Sequence, residues 1–203
     1  MEEGWRMNHF RYKRYTDAAV DMSDADLAEQ LVAHKHSYEA LQPETDFIQH
    51  ELSMFKGKAV VLDFGCGVGR NSVGLRDHDE DWVVVGYDSR AMLDRSKGYI
   101  TDNTRILSVS DWGLLKRQEF DFVLAWTVFQ HIEADEIDQY ARDLLPMTPY
   151  LCLFGRWWAD DTTPPTKSIN VFSIFERYWN LDNDVDTTNV SGEDHLYARY
   201  VPK

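Results

Sequence analysis

Apolar residues fall into two alternating patterns along this chain. The first is the short run: Ala59–Leu62 is apolar without alternation, as in a strand covered on both faces of a parallel sheet. Further strands are predicted at Trp82–Gly86, Arg105–Val109, Phe120–Trp126 and Tyr150–Gly155. The second is helical spacing, at Leu27, Leu31 and Val32, again at Phe47, Ile48, Leu52 and Phe55, with Pro43 between the two sets. Ser23 or Asp24 is placed to cap the first of these helices. Ala134–Leu145 is amphipathic and stopped by Pro146 and Pro149, and Val171–Leu181 also reads as a helix. Asp160–Lys167, with Pro164 and Pro165, reads as a loop. His195–Val201 predicts an edge or hairpin strand, while Asp182–Val190 offers only a poor one. Strands alternating with helices predict an α/β, doubly wound, mostly parallel sheet with helices on both faces. The 203 residues suit one compact domain, divided into an N-terminal helical extension at 1–57 and a core at 58–203.

The first strand carries the chemistry. It runs into Asp63 and then a tight turn in which Gly65, Gly67 and Gly69 occupy every second position. Glycine permits positive φ and lets a ligand approach the backbone closely. A helix beginning near Gly69 or Arg70 aims its free amides into the same crevice. The usual dinucleotide turn is G-x-G-x-x-G; here an acid leads acid-x-G-x-G-x-G. A carboxylate there repels a pyrophosphate but accepts hydrogen bonds from an ammonium group. The second strand ends at Asp88, nineteen positions after Gly69, near the spacing at which an acid meets a ribose diol. Asp88 is also placed to cap the following helix, with Ser89 as the competing cap.

The segment DFGCGVG resembles motif I of the class I S-adenosylmethionine-dependent methyltransferases, and the resemblance runs from about Lys58 to Tyr150. It implies a seven-stranded sheet of order 3-2-1-4-5-7-6 with the seventh strand antiparallel, a helical lid, and S-adenosylmethionine as cofactor with S-adenosylhomocysteine as product. The implied cofactor-binding set is Asp63, Gly65, Cys66, Gly67, Gly69, Arg70, Asp88, Ser89, Ser110, Asp111, Trp112 and Trp126. Within it, Asp111 stands where the family commonly places an acid for the adenine amino group, and Trp112 can stack on adenine or serve the core. Arg70 can reach the cofactor carboxylate or form a helix-surface ion pair. Trp126 and Thr127, ending the fourth strand, are expected near the reactive methyl. His131 in the loop beyond them is the candidate catalytic base, because imidazole titrates near neutral pH; the alternative is a packed, hydrogen-bonded histidine.

Charge bears on the acceptor. With 35 acidic against 21 basic residues the net charge is −14, which disfavours nucleic acid. The cluster Arg6, Arg11, Lys13 and Arg14 reads as a solvated helix face or lid contact. Neither Asn-Pro-Pro-Tyr nor Asp-Pro-Pro-Tyr follows the fourth strand, which further favours a small-molecule acceptor. Tyr12, Tyr15 and Tyr38, and the Arg156, Trp157 and Trp158 group, are candidates for the acceptor pocket; the last group serves equally as core cover. Two alternatives stay open: a nicotinamide-dependent oxidoreductase, and a non-catalytic S-adenosylmethionine-binding protein.

Metal and membrane roles find little support. His34 and His36 are two apart and point to different helix faces. Asp182, Asp184, Asp186 and Glu193 match positions of a calcium loop, but Thr187 stands where the sharp turn needs glycine, so a solvated acidic loop is expected. Cys66 and Cys152 form neither a disulfide framework nor a metal cluster and read as small buried residues. No apolar run reaches the ~18 residues of a membrane span, and the start of the chain lacks signal-peptide features, so a cytoplasmic location is expected.

Overall fold

The computed structural model describes residues 46–96, 105–129, 132, 134–156, 170–186 and 195–203. Seven strands form one sheet: β1 (Ala59–Phe64), β2 (Trp82–Tyr87), β3 (Ile106–Val109), β4 (Phe122–Trp126), β5 (Leu151–Arg156), β6 (Trp179–Asp186) and β7 (His195–Pro202). Their order is β3-β2-β1-β4-β5-β7-β6, as the resemblance implies. The first five strands run parallel, and β7 is antiparallel to both β5 and β6.

The helices are α1 (46–52), α2 (Arg70–His78), α3 (Arg90–Ser96), α4 (Trp112–Leu115), α5 (Ala134–Asp143) and α6 (Val171–Phe175). Successive residues of β1 and β4 feed two separate cores, because side chains alternate across a strand. On one face Val61, Leu124 and Trp126 pack with Ile48 and Leu52 of α1 and Leu75 of α2. On the other, Leu62, Phe64 and Val123 pack with Ile137, Tyr140 and Ala141 of α5 and with α6. All five residues of β4 are buried, so the sheet is covered on both sides at its centre. Strand order reverses between β1 and β4, which opens a crevice at their carboxyl ends.

Two expectations are corrected at the carboxyl end of the chain. The helix expected over Val171–Leu181 stops after Phe175, and Trp179–Asp186 is strand β6 rather than helix followed by acidic loop. Asn170 caps α6 by accepting from Ser173 N at 3.1 Å. Trp179 is 1% exposed and donates from its indole to Ala141 O at 2.9 Å, which turns the chain back into the sheet. β6 is polar because it is an edge strand, paired on one side only and bulged between Leu181 and Asn183. Its low β-propensity is overridden by the β7 ladder.

The same strand takes in the first five positions of the calcium-loop match. Asp182 lies in β6 and accepts from Arg199 Nε of β7 at 2.6 Å. Glu193 lies outside the described residues, and among those described no three ligating side chains gather as a metal site. β7 itself is interior, between β5 and β6, so of the two readings offered by the sequence it is the hairpin one. Of residues 1–57, those described are α1 and the chain leading into β1; residues 1–45, with the basic cluster, the three tyrosines and His34 and His36, lie outside them. Among the described residues no helix is long and apolar enough to cross a membrane.

Candidate functional site

The turn after β1 adopts the backbone its glycines predict. Gly65, Gly67 and Gly69 have φ of 73°, 58° and 92°, a left-handed region that L-residues with a side chain seldom enter. Gly69 is the N-cap of α2 and supplies no side-chain cap. Most amides of this turn are already engaged. Gly65 N and Cys66 N donate to Tyr87 O at 2.8 and 3.0 Å, and Gly69 N donates to Cys66 O at 2.9 Å. Gly67 N donates to Asp88 Oδ2 at 2.8 Å.

Asp88 therefore holds the turn. Only 6% exposed, it accepts from Gly67 N through one oxygen and from Ser89 N, at 2.6 Å, through the other. The cap of α3 is Ser89, whose Oγ accepts from Met92 N at 3.3 Å. Each carboxylate oxygen has two lone pairs, so a carboxylate in this place can accept from more than its two backbone amides.

Asp63 is still more enclosed, at 1% exposure, and accepts from Ser72 Oγ of α2 at 2.6 Å. That bond crosses from the end of β1 to the first turn of α2 and fixes where the helix starts. Two buried carboxylates thus flank the glycine turn, a field suited to a cation. Cys66 sits between them, and burial first, then the charges of Asp63 and Asp88, push its thiol well above the usual range. It is protonated at neutral pH and packs as a small buried residue, as does Cys152, pushed up to about 12 by burial.

The β3 end contributes differently. Ser110 and Asp111 are exposed, and Asp111 caps α4 by accepting from Leu114 N at 3.2 Å. Trp112 is half-buried, its ring in edge contact with Phe64 and Tyr140 at 5.5 and 5.1 Å. Its indole donates to Asp143 Oδ2 at 2.9 Å, and Asp143 accepts from Gln139 Nε2 at 2.7 Å. So α5 orients Trp112, with one part of the ring in the core and the rest toward solvent. The ring of Trp126 is 4% exposed and stacked on Phe154, centroids 3.4 Å apart, within the α1-side core.

The structure brings together the turn, Asp63, Asp88 and Ser89, with Trp112 beyond β3. His131, Trp157 and Trp158 lie outside the described residues, as do the side chains of Arg70 and Arg156. Three contributors are not marked by the motif itself: Ser72, Asp143 and Val128. A serine in the first turn of a helix that faces the acid motif is a usable signal for Ser72; Asp143 lies 31 positions from Trp112 and nothing local marks it. A shallow cavity of about 570 Å³ opens at the opposite, amino end of β1 and β4, lined by Val60, Asp121 and Pro146 among others, and holds none of these residues.

A family model described as a methyltransferase domain matches residues 61–147, which takes in the turn, Asp88 and β4. That stretch is thus similar to a methyltransferase domain, and the sheet around it has the fold of known methyltransferases. No curated protein matches it in sequence. Among solved structures, magnesium protoporphyrin IX methyltransferase from Synechocystis PCC 6803, with bound SAM, superposes with a TM-score of 0.67 at 14% identity, covering 100% of both chains. The N-methyltransferase NodS from Bradyrhizobium japonicum WM9, in complex with S-adenosyl-l-homocysteine, gives 0.62 at 16% identity, covering 89% of this chain and 99% of that one. The mitomycin 7-O-methyltransferase MmcR gives 0.65 at 11%, covering 93% and 60%. At such identities the structural likeness speaks to the fold of the methyltransferase domain.

Proposed function

We propose that this methyltransferase domain binds S-adenosylmethionine and transfers its methyl group by direct displacement to an oxygen or nitrogen of a small-molecule acceptor. One observation carries the cofactor choice: the amides of Gly65, Cys66, Gly67 and Gly69 are all satisfied within the protein, that of Gly67 by a carboxylate. A turn built to hold a pyrophosphate keeps such amides free. Here an anion would meet Asp63 and Asp88 at close range instead. The same charges suit a cationic cofactor, so the residues present fit S-adenosylmethionine and oppose the nicotinamide alternative.

Asp88 would hold the ribose hydroxyls, the glycine turn would admit the amino-acid portion without a Cβ in the way, and Asp63 would favour its ammonium by charge. Ser110, Asp111 and Trp112 would border the adenine. When bound, the cofactor supplies an activated methyl on a positively charged sulfur, so positioning of the acceptor accounts for most of the rate. His131 is the candidate to take a proton from an acceptor that attacks in its protonated form. The small-molecule acceptor is supported by the net charge of −14 and by neighbours whose names specify N- and O-methyl transfer.

Calorimetric titration with S-adenosylmethionine, S-adenosylhomocysteine and NAD tests the cofactor, followed by release of S-adenosylhomocysteine across a panel of phenols, carboxylates and amines. Saturable binding of the first two and turnover with one acceptor class is expected. Binding of NAD alone would overturn the reading, and binding without turnover on any acceptor would favour the non-catalytic alternative.

A further inference from the structure

The loop after β4 contains the one non-glycine residue at positive φ among those described, Thr127, at 56°. For a β-branched side chain this is a strained backbone, and such strain persists only where the surroundings impose it. The surroundings here are specific. Thr127 N donates to Phe154 O of β5 at 2.7 Å, which anchors the turn to the neighbouring strand. Phe129 stacks on Phe64 of β1 with centroids 5.1 Å apart and planes 17° from parallel. Held between these two anchors, Val128 is aimed at the cofactor turn. A Cβ built on Gly65 would fall 2.6 Å from Val128 Cγ1, closer still to Cγ2, and 3.1 Å from Val128 Cβ. The Gly65 amide is also tied to Tyr87 O. Gly65 is thus held by the β2 carbonyl and crowded by the two Val128 methyls.

We propose that Val128 is a positioning residue for the cofactor: it fixes the turn at Gly65, and the strained backbone of Thr127 is what aims it there. This rests on the methyltransferase reading of the site, since it concerns how tightly that site holds its ligand.

The test is a double-mutant cycle read by calorimetry with S-adenosylhomocysteine on the full chain: unaltered, Gly65→Ala, Val128→Ala, and both together. Gly65→Ala alone should weaken binding by about 100-fold or more, because the new Cβ collides with both methyls and also meets the positive φ. In the Val128→Ala background the same change should cost only about 5–10-fold, the cost of the φ alone, so the two losses are strongly non-additive. If Gly65→Ala does not fold, recovery of a folded, binding protein in the double variant supports the proposal equally, and an insoluble double variant goes against it. Val128→Thr supplies the separation from bulk stability. It keeps the branched shape but puts a hydroxyl at a partly buried position packed against the core, so it should lower the melting temperature yet hold affinity within about threefold, whereas Val128→Ala loses about 3–10-fold. Additive losses within about twofold, or affinity that follows melting temperature through both Val128 variants, would overturn the proposal. Failure of the unaltered chain to bind would overturn the methyltransferase reading, and the proposal with it.

Discussion

Asp88→Asn separates the job Asp88 performs in the turn from the one proposed for it toward the ribose. The carboxylate is nearly enclosed and receives two backbone amides, from Gly67 at 2.8 Å and Ser89 at 2.6 Å. An asparagine of the same shape has one accepting oxygen, so one of these amides must face an NH2 group. A hydrogen bond to a charged acceptor contributes about 1.5–3 kcal/mol, and a buried donor left unpaired costs about 1–3 kcal/mol. A destabilisation of about 3 kcal/mol follows, and for a chain of this size each kcal/mol lowers the melting temperature by roughly 2–4 °C, giving a fall of about 6–12 °C. The ligand effect is reckoned separately. On the proposed ribose role, loss of charge-assisted bonds to two hydroxyls should weaken S-adenosylhomocysteine by roughly 30–100-fold, about 2–2.7 kcal/mol. Differential scanning fluorimetry without ligand reads the first number, and calorimetry the second. A melting temperature within about 1 °C of the unaltered protein would refute the claim that Asp88 builds the turn. Intact affinity with a lowered melting temperature would refute its role toward the ribose.

Two further outcomes test the buried polar groups. Ser72→Ala removes the donor to a carboxylate that is 1% exposed, and should cost about 1.5–3 kcal/mol in urea unfolding; a loss below about 0.5 kcal/mol would mean that the Asp63 bond does not hold the start of α2. Alkaline titration tests the two cores: burial raises the Tyr140 phenol from 10.0 to about 12 and the Cys152 thiol from 9.0 to about 12. Both groups are neutral acids whose folded pKa exceeds the unfolded one, so their contribution is complete below pH 9 and is lost as pH rises from there to about 12. The urea midpoint should hold steady from pH 7 to about 9 and then fall, while phenolate absorbance from the buried tyrosines appears only with unfolding. A midpoint unchanged at pH 11 would count against this.

Much of the site is legible in the sequence because it is local. Asp63, the three glycines and Asp88 lie on consecutive strand ends, and a period-two glycine pattern after a buried strand has few backbone solutions. The five parallel strands are legible for the same reason, since a sheet covered on both faces needs apolar runs wherever a strand occurs. Residues 179–186 do not announce themselves as a strand because an edge strand has one paired side and one solvated side, so its own composition carries little of the signal; β7 decides it.

What the sequence by itself determined, then, is the layered α/β core and an acid-flanked glycine turn. Only tertiary structure decided how those parts are used. Asp88 is a turn anchor as well as a candidate ribose ligand because Gly67 N comes to it across 21 positions. Trp126 packs in the core because Phe154 on the adjacent strand meets its face, and the Trp112 ring is oriented because Asp143 reaches its indole from α5. Gly65 must be glycine for two reasons, of which its φ is local and Val128 is not. Backbone conformation and burial pattern are written in neighbouring residues; which atom fills a given space depends on which elements pack together, and that is set by the fold as a whole.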